Sequence, residues 1–299
     1  MFKMSEYSFI AGILSIALAI VMYAVSFASV RVARRRTSLA TVGGGSMEGG
    51  SSVTVVTGPS NVATYGTLLA WLAFIFLLAS MAFRAIATGH GPFANMYEFS
   101  IAFATGVVGV YLYFERRYHQ RVLGLIALPI ALLMCLYATT IPATADPLVP
   151  ALQNNLLLTV HVAVAIVAYG TFSISFAAAV LYLLQAHGVK RLPRAELLDE
   201  ISYRAVVIGF PFMTLTIVLG AVWANVAWGS YWSWDPKETA SLVTWLIYGS
   251  YLHARVVRGW RGDRAAWLLV IGFGATLFTY FGNLFFGGLH SYSGLNNNG

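Results

Sequence analysis

Apolar residues gather into eight stretches, each near the roughly 20 residues that a helix needs to cross a bilayer. They run over 7–30, 65–83, 97–114, 122–140, 156–184, 205–227, 239–254 and 265–286. The third and seventh are short, and each follows a polar loop rich in Gly, Pro, Trp or Tyr. The first is too long for the apolar part of a signal peptide, and its basic cluster follows it instead of preceding it. The pattern predicts an all-α, polytopic integral membrane protein with about eight transmembrane helices.

Composition agrees with that pattern. Of 299 residues, 59% are hydrophobic and 10% charged, with a mean hydropathy of +0.73. A soluble domain of this size needs far more charged surface. The net charge of +7 arises from basic residues clustered between apolar stretches, which reads as topology and not as a nucleic-acid face. Arg31, Arg34, Arg35 and Arg36 form one group, and Arg116, Arg117 and Arg121 a second. Lys190, Arg191, Arg194 and Arg204 form a third; Arg255, Arg258, Arg261 and Arg264 form the last. Only Lys3, Arg84 and Lys237 fall in the alternate connections. The positive-inside rule then places the four basic connections in the cytoplasm and both termini outside.

This divides the chain into a first span with its basic end (1–36), a Gly/Ser-rich flexible linker (37–63), a membrane domain (64–290) and a polar tail (291–299). Cys135 is the only cysteine. The chain therefore has no C-x-x-C for thiol exchange and no C-x-x-C-H for covalent haem.

The segment Trp228-Gly-Ser-Tyr-Trp-Ser-Trp-Asp-Pro-Lys-Glu238 crowds Trp228, Tyr231, Trp232 and Trp234 into one outer loop, with Trp223 just upstream. Aromatics of this kind line both membrane interfaces, and they also offer a stacking surface to a flat apolar ligand such as a porphyrin. Asp235, Pro236 and Glu238 have the spacing of a helix N-cap, a first-turn proline and a capping glutamate. That role is compatible with aiming the loop.

Histidines supply the other candidate chemistry, because ionisable groups in or beside spans are costly and usually functional. His161 lies about six residues into the fifth span, roughly 9 Å from its outer end at ~1.5 Å per residue. His290 follows the eighth span in Gly-Gly-Leu-His-Ser-Tyr. Topology brings both to one level beside the tryptophan loop, as axial ligands of a haem iron require. His253 lies towards the cytoplasm, as either an interfacial residue or half of an inner haem site whose second ligand comes from a partner chain. His119 and His187 read as solvated surface. His90 lies in the outer loop Gly-His-Gly-Pro-Phe-Ala-Asn-Met-Tyr-Glu98, as a turn residue or a supplement to the site oriented by Glu98. Arg84 and Lys237 are candidate cations for haem propionates.

The string WGSYWSWDPKE, followed by Trp245 and YLHAR, resembles the signature of the tryptophan-rich WWD family of haem-handling proteins, specifically its CcsA (ResC-like) type. His161 and His290 fall where that family carries its outer histidines, and His253 matches its transmembrane one. The resemblance covers roughly residues 65–295. It implies haem b as bound substrate, presented on the outer face of a bacterial cytoplasmic or thylakoid-type membrane. It also implies a CcsB/ResB-like membrane partner, thiol-reducing partners and an apocytochrome c whose C-x-x-C-H receives the haem. A haem exporter or delivery protein without ligation activity remains a rival, as does an assembly subunit that binds no haem.

Overall fold

A computed structural model describes residues 1–42, 61–144, 152, 155–189, 192–282 and 285–290. Eight long helices make up the described chain: α1 (Phe2–Val42), α2 (Asn61–Thr88), α3 (Met96–Tyr118), α4 (Gly124–Thr139), α5 (Asn155–Ala186), α6 (Ala195–Trp228), α7 (Pro236–Arg258) and α8 (Asp263–Phe281). Seven are long and apolar enough to cross a membrane. The exception is α7, which carries Lys237 and Glu238 at one end and His253, Arg255 and Arg258 at the other. Part of its polar face is accommodated inside the protein: Thr244, fully buried, pairs with Thr279 of α8 at 2.9 Å, while His253 and Arg258 are exposed.

The helices outrun the apolar stretches at several ends. Backbone hydrogen bonding continues α1 to Val42, into the stretch expected to be linker. Residues 43–60 of that stretch, and the tail 291–299, lie outside the described residues. The last helix stops short instead. It ends at Phe281, and Phe285 and Phe286 sit exposed in a turn whose N–H groups donate to the Gly282 carbonyl.

Local signals account for the boundaries nearest the tryptophan loop. Gly229 ends α6 with φ 74°, a left-handed conformation that glycine adopts without a Cβ penalty. The expected cap is present at the start of α7. Asp235 accepts from Lys237 N at 3.0 Å, Glu238 accepts from Asp235 N at 3.2 Å, and Pro236 occupies the first turn. Between the two helices, Trp234 holds φ 58°, a costly conformation for a bulky residue that the loop must enforce.

Helix α1 packs along α2, α5 along α6, and α3 against α4 and α5; α8 joins α7 to α5. Connectivity brings the starts of α3, α5 and α7 together with the ends of α2, α6 and α8. This is the tryptophan end of the bundle. The opposite end carries the last turns of α3 and α7 and the first of α6.

Candidate functional site

The tryptophan end holds an open cavity, about 1020 Å³ of free space when the surroundings at its mouth are counted in. Its walls come from five helices and two connections. His161 and Leu158 enter from the start of α5, Thr216, Gly220 and Trp223 from the end of α6, and Met96 and Phe99 from the start of α3. Lys237, Glu238 and Ser241 enter from α7, with Tyr231 and Trp232 from the loop above and His290 from the segment after α8. Its floor is aromatic: Phe103 stacks on Tyr169 at 5.0 Å and meets Tyr280 edge-on at 4.8 Å.

The two expected histidines thus share one cavity, and Trp223 links them. Its indole lies nearly parallel to the His161 ring, 6.4 Å away at 10°, and 5.8 Å from the His290 ring. Trp228 closes the group edge-on, 4.8 Å from Trp223 and 4.9 Å from His290. Trp223 is only 2% exposed.

Each histidine is set by a glycine. A Cβ on Gly220 would lie 2.9 Å from His161 Cε1, so the bare glycine makes room for the imidazole. A Cβ on Gly288 would lie 2.3 Å from Asp235 Oδ2, so only glycine lets the segment before His290 lie against the α7 cap.

Asp235 has a second task beyond capping. Its Oδ1 lies 2.8 Å from His290 Nδ1. An Nδ1–H donating to this carboxylate makes Nε2 the lone-pair nitrogen. Burial pulls the His290 imidazole below its ordinary range more than Asp235 pushes it up, so the neutral ring is favoured. Burial works against the Asp235 carboxylate too. The His290 hydrogen bond and charge, with backbone N–H groups, outweigh that and hold it at about 2.

His161 has no such partner. Its Nδ1 is buried without a hydrogen bond among the described residues, a state that costs free energy unless a ligand relieves it. Lys237 Nζ stands 5.6 Å from the Phe99 ring centre, a cation on the cavity wall next to Glu238. The described residues contain no cluster of three or more His, Cys, Asp and Glu side chains suited to a metal ion. Two imidazoles therefore suit a metal that brings its own equatorial ligands. The aromatic lining, the two imidazoles and the Lys237 cation fit a haem.

The remaining candidates divide. Tyr231 and Trp232 line the cavity and Trp228 backs it, but Trp234 is 68% exposed, packed edge-on to Trp232 at 5.7 Å, and does not line the cavity. Glu238 faces the cavity while accepting from Ser233 N and Asp235 N. Glu98 does not orient His90. It pairs with Arg84 at 2.5 Å and accepts from Ala94 N at 2.7 Å.

Arg84 also donates to the Ala143 and Thr144 carbonyls, at 3.1 and 2.9 Å. It is buried in this pairing outside the cavity wall, which leaves Lys237 as the propionate candidate within it. The Nδ1 of His90 lies 2.9 Å from the neighbouring Gly91 carbonyl, as expected of a turn residue. His253 is exposed on α7, far from the cavity. Sequence reading missed Gly220, Gly288, Tyr169 and Tyr280. The Gly-Gly before Leu289 and His290 was the one local hint, since the others look like ordinary span residues.

Comparison with known proteins bears on the whole arrangement. The family model described as Cytochrome C assembly protein matches residues 93–290. The cytochrome c biogenesis protein CcsA of Guillardia theta is 38% identical over 262 residues, covering 78% of this chain and 86% of the relative. CcsA of Chlamydomonas reinhardtii is 42% identical over 222 residues, covering 70% and 63% respectively. CcsA of Synechococcus elongatus is 35% identical over 286 residues, covering 77% and 87%. Among solved structures, Cytochrome c Heme Lyase CcmF superposes with a TM-score of 0.63 at 18% identity. That match takes in 92% of this chain and 46% of the larger one, and it speaks for a shared fold.

Proposed function

The chain belongs to the cytochrome c assembly protein family, as a CcsA-like integral membrane protein of cytochrome c biogenesis, and from that premise we propose that it holds haem b between His161 and His290 for attachment to apocytochrome c. The observation that carries this reading is the placement of both imidazoles around one aromatic cavity, with Asp235 on Nδ1 of His290.

His161 and His290 supply the axial nitrogens, and Asp235 fixes the tautomer of the second. Trp232 and Tyr231 cover the porphyrin from the loop, and Lys237 meets a propionate. Attachment adds each S–H of the apocytochrome C-x-x-C-H across one vinyl double bond, so no atom or electron is lost. Positioning supplies most of the acceleration. The incoming cytochrome histidine displaces one protein ligand and releases the product. The clustering of basic residues in the opposite connections supports an outer-face site under the positive-inside rule. A CcsB/ResB-like partner brings haem from the cytoplasmic side, and the exposed face of α7 around His253 meets it there.

The test is an absorption spectrum of the purified protein, repeated with His161→Ala, His290→Ala and His253→Ala. A six-coordinate spectrum lost in either of the first two variants, and restored by imidazole, supports the site. A protein free of haem even when co-expressed with its partner defeats it. The yield of thioether-linked cytochrome made with that partner separates ligation from delivery.

A further inference from the structure

Below the cavity, α6 and α7 meet along a seam that is less extensive than the contacts of α5 with α6 or α7 with α8. Phe210, Thr214, Ile217 and Ala221 recur at helical spacing on one face of α6. Ile217 and Ala221 line the cavity. Phe210 and Thr214, further along that face, hold Trp245 of α7. The indole Nε1–H donates to Thr214 Oγ1 at 2.9 Å, and the ring stacks on Phe210 at 5.3 Å and 24°.

On α7, Ser241 lines the cavity, Trp245 comes one turn later, and Gly249 one turn beyond. A Cβ on Gly249 would only just touch the Phe210 ring, at 3.4 Å. At the far end of the seam Arg255 grips Asp199 through two hydrogen bonds of 2.8 and 2.6 Å. The seam is therefore pinned at its far end by an ion pair and tied nearer the cavity by the Trp245 indole, with Gly249 between them. His253, one turn past Gly249, stands exposed on α7.

We propose that the α6/α7 seam is the route by which haem enters or leaves the cavity sideways, and that Trp245, held by Thr214, is its latch. The proposal rests on the cavity being the haem site. Interhelical side-chain hydrogen bonds within a bilayer are weak enough to open repeatedly, which is what a latch needs. A porphyrin moving from the level of His253 towards the cavity passes Gly249 before it meets Trp245. Trp245 does not itself line the cavity, so its loss acts on passage and leaves the bound state intact.

The experiment loads the full-length protein with haem and follows transfer to an excess of a haem-scavenging apoglobin. Thr214→Val removes the acceptor and Trp245→Phe removes the donor while keeping a ring against Phe210. Each is expected to speed release about threefold, the factor one such bond supplies in a membrane protein, with the Soret band unmoved. Thr244→Val, which deletes a buried hydrogen bond between α7 and α8 instead, is expected to release at the wild-type rate. Phe210→Cys with Gly249→Cys, bridged by a short dithiol-reactive linker, is expected to slow release; the native Cys135 is buried and does not compete.

Wild-type rates in both latch variants overturn the proposal, whatever the bridged protein does. So does equal acceleration by Thr244→Val, which would mark a general loosening of the bundle. A wild-type protein that takes up no haem defeats the site itself, and not the seam.

Discussion

The two ends of the bundle both bury polar groups, yet they treat them differently. At the end opposite the tryptophans, Glu115 of α3 is inside the protein with both oxygens engaged. Tyr23 donates to Oε2 at 2.8 Å, Thr67 donates to Oε1, and Arg121 stands 3.5 Å away. Four parts of the chain are tied there, and the tryptophan-end cavity does not open onto that carboxylate. At the tryptophan end the histidines surround open volume, and His161 Nδ1 is buried with no partner among the described residues. A buried group that is fully paired stabilises the fold, whereas one left unpaired at a cavity wall is poised for a ligand.

A third buried cluster sharpens the contrast, because it sits at the tryptophan end but outside the cavity. Glu98→Ala leaves the Arg84 guanidinium, 4% exposed, without its counter-charge. Breaking a buried pair this way costs about 3–5 kcal/mol, read as a large fall in melting temperature in detergent. Protein that does fold should keep its haem spectrum, and a selective loss of haem at unchanged stability would move this pair into the site.

Next in size is Glu115→Ala. It removes the charged acceptor of the buried Tyr23 hydroxyl and the half-buried Thr67 hydroxyl, and hydrogen bonds to charged groups contribute about 1.5–3 kcal/mol each. Thermal melting should drop and haem affinity stay at the wild-type value. A weakened haem spectrum at unchanged stability would erase the distinction between the two ends.

Asp235→Asn should do the reverse. An amide can still cap α7, but it cannot hold the His290 Nδ1 proton as a carboxylate does. Loss of such an orienting partner weakens a metal site about 10- to 100-fold, so haem titration should shift while melting of the haem-free protein changes little. Gly288→Ala should follow the same pattern through its collision with Asp235.

The smallest effect is on pH. The folded state holds His290 below the ordinary imidazole value near 6.5. Its unfolded form therefore binds more protons in the window beneath that value, and stability falls as pH drops through it. Asp235, held at about 2, adds a second loss only below about pH 4. Melting of the haem-free protein should decline from pH 7 to 5, and His290→Gln should flatten that decline relative to wild type. Equal slopes would show that His290 is not buried as a neutral ring.

Much of this was legible before any coordinates. The spans were, because a bilayer demands long apolar runs whatever the packing. So were the two histidines, because a polar group that a span tolerates beside an aromatic loop stands out in composition. The cap at Asp235 was legible as local chemistry. Its hold on His290 was not, since the two residues are 55 positions apart. Arg84 and Glu98 looked like site residues by charge and side of the membrane, and only packing showed that they neutralise one another.

The sequence by itself determined the helical membrane fold and the clustering of its basic connections, and it singled out two histidines that line one cavity, because hydropathy and residue type act locally along the chain. Tertiary structure alone decided what sets that pair. Trp223 neighbours both rings, Gly220 clears space for His161 and Gly288 for Asp235, and Trp234 is exposed outside the cavity despite standing in the same motif. Those outcomes depend on how helices distant in sequence approach one another, and hydropathy along a single chain carries no record of that approach.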